Sequence, residues 1–98
     1  MEIEVIQHNK EAELKLKGRL DNTSAPQVQN RLNEILPGCS SLKFDFAEVD
    51  YVSSAGLRVL LMARKRIGSS GEVSLLHVNE VVREILEMSG FLDILNVK

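Results

Sequence analysis

The 98-residue chain is poor in the residues that build covalent or metal-bound sites. It has one cysteine, two histidines, one tyrosine and no tryptophan. A single thiol, Cys39, closes no internal disulfide, and an unpaired cysteine suits a reducing, cytoplasmic setting. Cys39, His8 and His77 lie far apart with no metal-ligand spacing, so no metal site is expected. No apolar run approaches the roughly 20 residues of a membrane span. The polar start, Met1-Glu2-Ile3-Glu4, does not read as a signal peptide, and no membrane partner is expected. The net charge is −2 and no basic block is present, which argues against a nucleic-acid partner. There is neither a phosphate-cradling loop nor a dinucleotide fingerprint, so no cofactor is expected. What remains is ordinary for a soluble fold: 44% apolar and 27% charged residues, enough for one domain spanning residues 1–98 with a modest core.

Hydrophobic periodicity sets the order of elements. Ile3–Ile6 reads as a first strand, Asn9-Lys10 as a turn, and Glu13–Lys17 alternates with period two, as a strand with one wet face does. The pair predicts a hairpin at a sheet edge, where its lysines discourage pairing with another chain. Ser24 with Gln27 fits a capping box for a helix whose stripe is Val28, Leu32, Ile35 and Leu36, ended by Pro37-Gly38. Leu42, Phe44 and Phe46 predict a third strand. Leu57, Leu60, Leu61, Ala63 and Ile67 predict a largely buried second helix, ending near Gly68. Val73–Leu76 reads as a fourth strand. Asn79 caps a last helix carrying Val82, Ile85 and Leu86, closed by Gly90, and Phe91, Leu92, Ile94 and Leu95 cover one end of the core. The order β-β-α-β-α-β-α predicts an α/β fold: a mixed sheet of four or five strands with helices packed on it.

The chemistry-bearing stretch is Val52-Ser53-Ser54-Ala55-Gly56-Leu57-Arg58, where a loop enters an apolar helix. Serine is a favoured helix cap, and the partial positive charge of a helix start also accommodates a phosphate. Asp21 lies in a second loop that joins a strand to a helix. If both strands run parallel, both loops emerge at the same end of the sheet, where α/β folds place their sites. A serine hydrolase would need a base, and His77 at the end of the fourth strand is the available one. The loop, however, is not the G-x-S-x-G elbow, and no catalytic residue is assigned.

The run from Phe44 to Leu61 resembles the STAS domain of the bacterial anti-sigma-factor antagonists. The resemblance rests on Asp45-Phe46 as an acidic strand end, on Ser53-Ser54-Ala55-Gly56-Leu57, and on the aliphatic helix that follows. Gly18-Arg19-Leu20-Asp21 resembles the family's second motif at the usual distance before it. The resemblance implies a binding module: an antagonist that binds an anti-sigma factor serine kinase and frees a sigma factor. The kinase phosphorylates a loop serine to dissolve the complex, and a PP2C-type phosphatase restores it. Carried onto this chain, the acceptor is Ser54, with Ser53 as second candidate. The expected partner surface is Asp21, Ser53, Ser54, Ala55, Gly56, Leu57 and Arg58. The alternative is a constitutive STAS interaction subunit of a transporter or signalling scaffold.

Overall fold

A computed structural model describes residues 1–98. Strands β1 (Glu2–His8) and β2 (Glu11–Leu20) form an antiparallel hairpin joined by Asn9-Lys10. Asn9 has φ 56°, a left-handed conformation that asparagine tolerates better than most residues. Helix α1 (Ala25–Ile35), strand β3 (Ser41–Val52), helix α2 (Ser54–Ile67), strand β4 (Glu72–Leu76) and helix α3 (Glu80–Met88) follow. A 3-10 turn at Phe91–Asp93 leads to a two-residue strand, β5 (Asn96–Val97). The sheet order is β1-β2-β3-β4-β5, and every pair after the hairpin is parallel. Right-handed crossovers that always step the same way put all three helices on one face of the sheet.

Burial follows from that one-sided cover. Leu14, Leu16, Leu42, Phe44, Phe46, Val73 and Leu75 face the helices and are buried. They meet Val28 and Leu32 of α1, Leu60 and Ala63 of α2, and Val82 and Leu86 of α3 in one core cluster. Phe44 and Phe46 pack edge to face with ring centroids 6.2 Å apart. The opposite face is wet and charged: Lys17 lies 3.7 Å from Glu2 and 3.9 Å from Glu48, exposed pairs of small energetic worth.

Four expectations change. The lysines of the hairpin lie on β2, which is an inner strand. The edge strand β1 carries Glu2 and Glu4 instead. Asp45 is not at a strand end, because β3 runs on to Val52. Two extra residues in β3 shift its register against β2, so that Phe46, Val49 and Val52 are all buried although their spacing is three. Such bulges hide a strand from a period-two reading. Ser24 is no capping box either. It is buried, its hydroxyl donates to the Arg19 carbonyl at 2.6 Å, and it makes no side-chain cap. Helix α2 is only half covered, since Val59 rather than Leu57, Leu61 or Ile67 completes its buried stripe. The sheet has five strands, within the expected four or five; the fifth, too short to place from sequence, closes it beside β4.

Candidate functional site

The bulged length of β3 decides where the serine loop stands. β4 pairs only with Ser41–Asp45, so the last part of β3 has β2 alone as a neighbour. Leu20 and Val52 are register partners, and the next backbone bond runs from the Ser53 N–H to the Leu20 carbonyl at 2.8 Å. The loops after β2 and after β3 are thus side by side. Asp21 and the pair Ser53-Ser54 share one end of the sheet.

The two serines have different jobs. Ser53 is the N-cap of α2: extended backbone, with its Oγ accepting from the Gly56 N–H at 3.3 Å and donating to Oδ1 of Asn22 at 3.4 Å. Ser54 is the first helical residue and is exposed, and no hydrogen bond engages its hydroxyl. The amide N–H groups of a first turn have no intrahelical carbonyl and carry the positive end of the helix dipole. No acidic side chain occupies that turn.

Gly56 lets the helix come this close to the sheet. A Cβ there would lie 2.8 Å from the Leu20 carbonyl oxygen and 2.8 Å from Leu20 Cγ. Any side chain at position 56 would push the start of α2 away from β2 and tilt the serine loop. Ala55 and Leu57 flank it half-buried, and Arg58 projects into solvent with no acid in contact.

Asp21 organises its own loop. Its Oδ1 accepts from the N–H of Thr23 at 3.0 Å and the N–H of Ser24 at 3.1 Å. These bonds, that from the Ser24 N–H foremost, hold its carboxyl below the ordinary range. Two residues of the neighbourhood carried no sequence signal of their role. Arg19 stacks on the Tyr51 ring at 4.7 Å and reaches Asp21 Oδ2 at 3.7 Å, binding the ends of β2 and β3 together. Asn22 links the Asp21 loop to Ser53.

His77 does not join the serines. It follows β4, whose partner on β3 is Asp45, seven residues short of Val52. Its Nδ1 lies 3.0 Å from Asp45 Oδ1, and the residue adopts φ 57°. With about 3.3 Å of rise per strand residue, that puts it on the order of 20 Å from the serine loop. The Ser54–His77 pairing of a hydrolase is not assembled. Cys39 donates to the Ser41 carbonyl at 3.2 Å, and partial burial pushes its thiol up, opposite to a reactive cysteine.

A mixed five-stranded sheet with a capped serine loop beside the Asp21 loop at one end defines the class. The family model described as "Mlab, STAS domain" matches residues 3–96. The chain belongs to the STAS-domain family. BtrV of Bordetella bronchiseptica, a candidate anti-sigma factor antagonist, is 37% identical over 84% of this chain and 72% of its own. The anti-sigma F factor antagonist of Paenibacillus polymyxa is 27% identical, over 99% of this chain and 86% of its own. The solved structure of unphosphorylated SpoIIAA, an anti-sigma factor antagonist, has the same fold: TM-score 0.87 at 16% identity, over 99% of this chain and 88% of that one.

Proposed function

We propose that this chain is an anti-sigma factor antagonist whose binding to an anti-sigma factor serine kinase is switched off by phosphorylation of Ser54. The names of its relatives support the class. The observation that carries the switch is the division between the serines: Ser53 is spent on the cap, while Ser54 offers an unengaged hydroxyl at the positive end of α2. Asp21, Ser53, Ser54, Ala55, Gly56, Leu57 and Arg58 form the partner surface in this reading, and a PP2C-type phosphatase returns the protein to its binding form.

The physics of release is local. A phosphoserine carries about −1.5 to −2 charge at pH 7. The helix start accepts that charge, so the fold persists, and the cost falls on the interface, where the phosphate meets the partner beside Asp21. A penalty of ~3–4 kcal/mol weakens association several-hundred-fold, at 1.4 kcal/mol per decade. Calorimetric titration of the kinase tests this. Ser54→Ala binds like wild type, and Ser54→Asp stays folded but loses affinity by at least about tenfold. Equal affinity for wild type and Ser54→Asp refutes the gating. That result is the one expected of the second reading, a constitutive interaction subunit of a transporter or scaffold, which the uncharged Ser53 before Ser54 favours.

A further inference from the structure

The chain's charge is unevenly spread, and the uneven part adjoins the serine loop. Residues 51–71 contain four cations and no carboxylate, whereas the other eight Lys and Arg are outnumbered by all 14 Asp and Glu. No basic run is long enough to show this in the sequence. The helix gathers Arg58, Lys65 and Arg66 onto its exposed side, where half-exposed Leu61 and Met62 lie among them. Arg64 points elsewhere, closing the end of α2 on the Gly68 and Gly71 carbonyls. Neither Arg58 nor Lys65 has an acidic partner. Across from α2, α1 presents Pro26 and Gln29, and its one cation, Arg31, is paired with Glu34.

The result is a groove between α1 and α2. One end, of ≈ 490 Å³, begins at Asn22 and Ala55 beside the serines and runs past Arg58 to Met62. A second hollow of ≈ 470 Å³, lined by α2 alone, continues it along the exposed side of that helix to Lys65 and Arg66, sharing Arg58 and Met62 with the first. Lys65 stands eleven residues from Ser54, about 16 Å along the helix. Two unpaired cations with methionine and leucine between them match an acidic segment with apolar residues at helical spacing. The other face of the molecule, where Lys17 lies between Glu2 and Glu48, offers no such single sign.

We propose that the surface engaging the protein partner extends from the serine loop through the α1–α2 groove and along the exposed side of α2 to Lys65, and that the partner covers it with an acidic, amphipathic segment. The proposal rests on the partner-switching reading above and names the chemistry of what is bound. It also gives the phosphate a second effect. A phosphorylated Ser54 lies one helical turn before Arg58, at the i,i+4 spacing of an ion pair, and so withdraws a cation that the partner's carboxylates use.

The test titrates the anti-sigma factor kinase into wild type, Ser54→Asp, Lys65→Glu and, as a control on the opposite face, Lys43→Glu. Titrations are run at about 50 and about 300 mM salt, since an exposed ionic contact weakens as the screening length shrinks. Circular dichroism checks that each variant is folded. The expected result is a loss of at least about tenfold for Lys65→Glu at low salt, a reduced salt dependence in that variant, and wild-type binding by Lys43→Glu. Wild-type affinity for Lys65→Glu, with Ser54→Asp still impaired, overturns the groove and leaves the switch standing. No difference between wild type and Ser54→Asp fails the switch instead. Equal losses from Lys65→Glu and Lys43→Glu mean that overall charge acts, not this groove. Retention of the wild type on duplex DNA or on phosphatidylglycerol vesicles, lost in Lys65→Glu, also overturns the choice of an acidic protein segment.

Discussion

Single side chains set the behaviour of the serine loop. Ser53 and Ser54 are adjacent and chemically identical, yet one is a cap and the other is free, so their substitutions separate. Ser53→Ala removes the bond to the Gly56 N–H and costs about 1 kcal/mol of stability. Ser54→Ala removes no bond and stays within about 0.5 kcal/mol of wild type. Urea unfolding of the two variants reads that difference directly. Gly56→Ala is harsher, because its Cβ meets the backbone oxygen of Leu20 at 2.8 Å and a carbonyl cannot rotate away. Overpacking of this kind costs about 1–3 kcal/mol, and here it also displaces the serines. The expectation is a lower urea midpoint together with weaker partner binding. The sequence showed the Ser-Ser-Ala-Gly pattern but not which serine was spent. That depends on the hydroxyl's partners, one of which, Asn22, is 31 residues away in the chain.

Strands and helices were legible where their periods were clean. The buried stripe Val28, Leu32, Ile35 and the Asn79 cap of α3 follow from spacing and cap chemistry alone. The extent of β3 did not, because each bulge offsets the alternation by one residue. That hidden length matters, since it carries the serine loop past β4 and leaves His77 behind at Asp45. The one-sided cover of α2 was equally hidden: apolar residues at helical spacing do not tell a buried flank from a half-open groove. Asn79 shows how a cap also joins layers. Its Oδ1 accepts from the Val82 N–H at 2.8 Å and its Nδ2 donates to the Val49 carbonyl at 2.9 Å. Asn79→Ala loses the cap and strands that carbonyl, a loss of about 2–3 kcal/mol. Asn79→Asp keeps the acceptor but not the donor, so its urea midpoint falls between those of wild type and Asn79→Ala.

The fold as a unit was readable from element order and chain length, because a β-β-α-β-α-β-α series allows few right-handed arrangements. Its polarity of charge was not, since only the helix brings Arg58 and Lys65 to one side. Acid stability is shared across the sheet. Asp21, Asp45 and Glu72 are each held below the ordinary carboxyl range, by the Ser24 N–H, the Ala47 N–H and the Asn96 side chain respectively. A carboxyl depressed in the folded state binds its proton less readily there than in the unfolded chain. Its stabilisation is complete above the unfolded value and is lost as pH falls through the folded one. The urea midpoint therefore declines below about pH 4, the ordinary carboxyl range. Asp45→Asn, which removes one of the three, gives a shallower decline.

The proposed switch is tested by whether, and where, an anti-sigma factor kinase puts phosphate. On the proposed reading, incubation of the protein with an anti-sigma factor kinase and ATP, followed by intact mass and peptide mapping, gives one phosphate on Ser54 and none in Ser54→Ala. An unmodified wild type, or a phosphate carried on Ser53 alone, contradicts the account.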